Sequence, residues 1–241
     1  MSQRFLLILM ALLFTSGPII SQASHHECLS QEVSHHYAHN KDVKIHYVKA
    51  GSGPLVVMVH GFPDYWYSWR HQMNGLKKDF TVVAMDQRGY NRSDQPGGVE
   101  SYAMHNLVSD VIAVIRDTGA TQATVVGHDW GGAVAWQVAF NAPEVVQNLV
   151  ILNLPHPNGM ARELANNPEQ QRNSAYARRF IEGSAEDPDI MFGGPMNPQT
   201  LARWVQDPAA KVLYEAAFAR SSFNGMLNYY KANYPRAGQP S

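Results

Sequence analysis

Gly127-His128-Asp129-Trp130-Gly131-Gly132 reads as a turn from a strand into a helix that carries a carboxylate where a nucleophile belongs. Ala123 to Gly127 is a short β-branched run, and Gly131 onward reads as helix through Ala133, Val134, Ala135 and Trp136 to the breaker at Asn141-Ala142-Pro143. In the G-x-S-x-G turn a serine is thrust out at the top of a sheet, and the N–H of the next residue points into the same space as half an oxyanion hole. Asp129 and Trp130 hold those two positions here. An attacking carboxylate forms an alkyl ester, so the chemistry indicated is alkyl transfer rather than ordinary ester hydrolysis. The plain alternative is a glycine-rich turn that merely packs a helix on a sheet, and the other residues decide against it.

His60-Gly61-Phe62-Pro63 follows the apolar run Leu55 to His60 directly, so the Phe62 N–H is placed to be the second oxyanion donor beside that of Trp130. Phe62 precedes a proline, which favours an extended backbone and allows a cis bond. Around these turns the elements alternate. Glu32 to Ala38 and Val43 to Lys49 read as a hairpin about Asn40-Lys41-Asp42. Leu55 to His60 and Phe80 to Met85 read as strands buried on both faces, with a helix over Trp69 to Lys77 between them. Met104, Leu107, Val108, Val111, Ile112 and Ile115 recur at helical spacing before Thr118-Gly119, and Leu149 to Leu152 is a further strand. Alternating strands and helices predict an α/β fold with a mostly parallel sheet flanked by helices. After Pro155-His156-Pro157 the pattern turns to helices and prolines, expected to form a cap over the carboxyl edge of the sheet, where ligands bind in open α/β folds.

The chain has 241 residues, 45% of them hydrophobic, and a formal net charge of −1, enough for one sizeable core and without the basic excess that nucleic acid demands. Arg4, the apolar run Phe5 to Phe14, Pro18 and the small Ser21-Gln22-Ala23 sequence form a secretory signal pattern, so the protein is expected to be secreted or periplasmic. That run falls short of the about 20 residues of a membrane span, and no stable membrane anchor is expected. Cys28 is the only cysteine, which excludes an internal disulfide. His25, His26, His35, His36 and His39 cluster without recognisable ligand spacing, and neither a metal nor a cofactor is expected.

His60-Gly61-Phe62-Pro63 with Trp66, Ser68, Trp69 and Arg70, then Asp86-Gln87-Arg88-Gly89-Tyr90 with Ser93, then the Asp129 turn together resemble the α/β-hydrolase superfamily and, within it, the epoxide hydrolases. The resemblance covers most of residues 35 to 235. It implies an α/β-hydrolase fold with an inserted helical cap, and two cap tyrosines that grip an epoxide oxygen, matched here by Tyr176 and Tyr230. It further implies opening of small apolar epoxides to vicinal diols through an ester on Asp129, with Phe62 and Trp130 as backbone donors and Phe62, Pro63, Trp66 and Trp130 lining the substrate site. Read alone, Tyr230 also fits a helical stripe with Phe223, Leu227 and Tyr234, that is, a core aromatic.

The domain organisation expected is a signal peptide over 1–23, the N-terminal part of the hydrolase core over 24–155, the cap over 156–235 and a return to the core over 236–241. No histidine follows His156, and the resemblance places the water-activating histidine and its acid partner after the cap. The chain is therefore expected to lack the last strands of the core and the base for ester hydrolysis; those units need on the order of 50 residues. Two other readings stay open: a haloalkane or haloacid dehalogenase, which also uses an aspartate at this turn, and a non-catalytic truncated form that holds a small ligand under the cap.

Overall fold

Continuous apolar runs make the centre of the sheet, and polar or alternating ones its rim. The computed structural model describes residues 33–235; the expected signal segment, Cys28, His25, His26 and residues 236–241 lie outside the described residues. β1 (Ser34–Asn40) and β2 (Val43–Ala50) form an antiparallel hairpin through Lys41, whose φ is +53°. β3 (Leu55–Val59) is buried at every position and pairs in parallel with β4 (Thr81–Met85) and β5 (Ala123–His128). β6 (Val146–Leu152) extends β5 in parallel, and the strand order is β1-β2-β4-β3-β5-β6. β2 runs antiparallel to β4, so the sheet is mixed on one side and parallel on the other.

Two differences from the sequence reading have simple causes. β6 starts at Val146 rather than Leu149, because an edge strand tolerates exposed polar residues such as Gln147 and Asn148 that break an apolar pattern. The helix expected from Trp69 is preceded by a 3₁₀ turn over Trp66–Trp69, whose buried Trp66, Tyr67 and Trp69 do not follow a 3.6 period; α1 then spans Arg70–Leu76. α2 (Met104–Asp117) buries Leu107, Val108, Val111, Val114 and Ile115 as its spacing predicts and stops at Gly119, φ +82°. α3 (Trp130–Asn141) leaves the sheet directly after Asp129.

Beyond β6 the described chain is helical: α4 (Pro157–Asn166), α5 (Pro168–Asn173), α6 (Ala175–Glu182), α7 (Pro198–Leu201), α8 (Pro208–Phe218) and α9 (Phe223–Asn233). The prolines of this region open four of these helices, where the missing N–H costs nothing. Asn167, Asn197, Asp207 and Ser222 cap the free N–H groups of the following helices through their side chains. Among the described residues no helix is long and apolar enough to cross a membrane.

Candidate active site

Asp129 sits at φ +51° and ψ −123°, a conformation that costs a non-glycine residue energy and persists only where the surroundings enforce it. The enforcement is close packing. A methyl on Gly131 would collide with the Val59 and His60 carbonyls, and one on Gly61 would collide with the Asp129 side chain, so both positions admit only glycine. The turn thereby brings the end of β5 against the end of β3. The Phe62 N–H donates to Asp129 Oδ1 at 2.8 Å, and the Trp130 N–H also hydrogen-bonds the carboxylate. Burial pushes the Asp129 carboxyl above the ordinary carboxylate range, while these two donors and His128 pull it back. The residue remains partly accessible.

An aromatic cage faces this carboxylate. The Tyr230 ring lies edge-on to Trp130 at 5.0 Å and to Phe62 at 5.6 Å, with Phe180 at 4.9 Å and Tyr176 at 6.3 Å. Tyr230 is buried, and its hydroxyl is hydrogen-bonded by the Trp130 side chain. Burial, then the charge of Asp129, raises both phenols: Tyr176 to about 12 and Tyr230 well above its ordinary value. Both are neutral hydrogen-bond donors at physiological pH. Asp129, Phe62, Trp130, Tyr230 and Tyr176 thus share one place, and the Phe62–Pro63 bond beside them is cis. Trp66 has other neighbours: its ring meets His35 at 6.1 Å and Tyr67 at 5.3 Å, and its backbone N–H donates to Asp86 Oδ1 at 3.0 Å.

Buried polar residues hold the floor of the site. His60 Nδ1–H donates to the Gly61 carbonyl at 2.8 Å while Nε2 accepts from the Gln87 N–H at 3.0 Å, and burial lowers its pKa to about 4. With both nitrogens committed, His60 shapes the Gly61-Phe62 turn and has none left for proton transfer. Asp86 Oδ2 accepts from His46 Nδ1 at 2.6 Å and from Asn91 at 2.8 Å. His156 accepts the Asn158 N–H and packs on Trp136 and Phe140. The hydrogen-bond partners of the Asp129 carboxyl are backbone N–H groups, and among the described residues no histidine ring joins them.

Sequence reasoning passed over three contributors. Tyr229 is wholly buried and donates to the Arg88 carbonyl at 2.9 Å, which pins α9 so that the adjacent Tyr230 turns toward Asp129. Arg220 forks onto Asn91 Oδ1 at 3.0 and 2.8 Å, and the Ser222 N–H donates to the Gly89 carbonyl, fastening the entry to α9 on the loop after β4. Asp64, next to Pro63, is buried against α8. Tyr229 had a signal, a second aromatic beside Tyr230; the other two are long-range contacts with no local pattern.

A family model described as alpha/beta hydrolase fold matches residues 54–237. Epoxide hydrolase 1 of Caenorhabditis elegans is 43% identical over 200 residues, which covers 77% of this chain and 49% of that relative. Epoxide hydrolase 4 of Mus musculus is 40% identical over 132 residues, 54% of this chain and 37% of the relative. The crystal structure of the Bacillus megaterium epoxide hydrolase in complex with an inhibitor matches with a TM-score of 0.73 at 37% identity, covering 82% of this chain and 71% of that one. The chain spans less than half the length of these two sequence relatives.

Proposed function

Because the chain belongs to the α/β-hydrolase family, and within it to the epoxide hydrolases, we propose that it opens small apolar epoxides through an ester on Asp129. Asp129 attacks a ring carbon with the oxygen that the Phe62 N–H does not hold; the new C–O bond forms as the strained ring C–O bond breaks. Tyr176 and Tyr230 donate hydrogen bonds to the developing alkoxide, which gains its proton from the medium by way of a phenol. Water then adds to the ester carbonyl, and the Phe62 and Trp130 N–H groups stabilise the resulting oxyanion on the way to a vicinal diol. The observation that carries the reading is the aspartate held by two backbone donors and faced by two neutral phenols.

The second step needs a base to take a proton from water. Among the described residues no histidine ring hydrogen-bonds the Asp129 carboxyl, and an ester on Asp129 is the intermediate the reading requires. Intact-protein mass spectrometry after treatment with styrene oxide tests this: a single adduct of the epoxide's mass, mapped to Asp129 and lost in Asp129→Asn, is expected. An adduct that survives Asp129→Asn, or halide release from a chloroalkane with no epoxide adduct, refutes the reading and the latter favours a dehalogenase. We further read residues 1–23 as an export signal, to be checked by N-terminal sequencing of exported protein.

A further inference from the structure

We infer that Asp64 is a positioning residue: its carboxyl, hydrogen-bonded by Tyr214, docks cap helix α8 on the turn that presents the Phe62 N–H to Asp129. The inference rests on the proposed alkylation of Asp129 for its functional half and on geometry for the other. Asp64 lies two residues after Phe62, accepts its neighbour's Tyr65 N–H at 2.9 Å, and takes the Tyr214 hydroxyl from the cap, with Ser68 also in reach. Tyr214 is buried in an aromatic cluster that spans the two layers, edge-on to Tyr65 at 4.9 Å from the core and to Trp204 at 5.3 Å from the cap. Phe62 is itself gripped from the cap by Phe180 at 5.3 Å. The turn between these two contacts therefore moves with the cap or not at all.

The contact is sensitive to pH. Burial raises the Asp64 carboxyl to about 7, against hydrogen bonds from Tyr65, Tyr214 and Ser68 and the charge of Arg70 on α1, which lower it. The other ionisable neighbours are phenols raised beyond the physiological range, Tyr65 and Tyr214 from their own burial first; Asp86 acts on Tyr65, and Asp207, before α8, acts on Tyr67. An acid whose pKa is raised in the docked state binds more protons there than when solvated. Docking is thus strongest below about pH 4, weakens as pH rises toward about 7, and is level above it. Asp64→Asn mimics the protonated acid and removes this dependence.

Hydrogen exchange of the α8 amides, compared between wild type and Asp64→Asn at matched pH so that chemical exchange cancels, reads the docking. The wild-type to variant ratio is expected to climb between about pH 4 and 7 and then stay constant; a ratio independent of pH overturns the inference. Tyr214→Phe keeps the ring packing and removes the donor, and is expected to slow ester formation on Asp129 about three- to tenfold while α8 exchanges faster. An unchanged rate with faster exchange overturns the positioning role. If wild type forms no ester, the alkylation reading and the positioning role fall together, a result distinguished by an exchange difference at α8 that persists.

Discussion

At Asp129, in the proposed reaction, one set of donors serves two charges. The Phe62 and Trp130 N–H groups hold the resting carboxylate, and in that proposed reaction the same donors would hold the oxyanion of its ester, so that no rearrangement separates the two half-reactions. In the proposed reaction the phenols serve only the ring opening. Tyr230→Phe is expected to slow ester formation about a hundredfold, the cost typical of losing one donor at a developing oxyanion, with the rate of adduct growth by mass spectrometry as the measure. Tyr176→Phe is expected to cost less, because Tyr176 is 40% exposed and water can replace its hydroxyl. Since burial and Asp129 push Tyr176 up to about 12 and Tyr230 well above its ordinary value, the rate should show no alkaline fall up to about pH 10, a range readable from a single-turnover pH profile. Asp129, Phe62 and Trp130 stand in short local patterns that the sequence displays, whereas Tyr176 and Tyr230 are singled out by the resemblance. Asp64 has no such pattern, because what defines it is a partner about 150 positions away along the chain, and Tyr229 offered only its place beside Tyr230, with its partner Arg88 about as distant.

The elements place these residues through a few buried polar ties. Arg88, in the turn after β4, is locked to Asp110 of α2 by a two-pronged ion pair at 2.6 and 2.7 Å, both side chains almost fully buried. Asp110→Ala would leave a guanidinium buried without its anion and is expected to cost about 3–5 kcal/mol in urea denaturation. The damage would spread to the site, since the Arg88 carbonyl anchors Tyr229 and hence α9. Gly131→Ala tests the strand-to-helix turn: the clash with the Val59 and His60 carbonyls is expected to lower the melting temperature by several degrees, roughly the shift of a 1–3 kcal/mol loss. Buried strands and amphipathic helices announced themselves by periodicity. The 3₁₀ turn over Trp66–Trp69 and the polar start of β6 follow no such period, and their bounds emerge only from packing.

Across the whole molecule, the sheet and the helices above it meet along a seam rather than at a hinge. Asn91 with Arg220, Gly89 with Ser222, Arg88 with Tyr229, Phe62 with Phe180 and Asp64 with Tyr214 all cross it. Asp64 gives the seam its dependence on pH, and wild type should therefore lose melting temperature relative to Asp64→Asn between about pH 4 and 7. A sequence read segment by segment predicts the two layers but not the stitches between them, since each stitch joins residues from different layers.

The hydrogen bond from Phe62 to one particular oxygen of Asp129 also sets the two carboxyl oxygens apart. In the proposed ester the oxygen held by Phe62 stays carbonyl, and the other oxygen becomes the bridge to carbon. If that ester forms, its cleavage by alkali in heavy-oxygen water should put the isotope into the Asp129 peptide, and the first diol released should carry an oxygen that began in the protein.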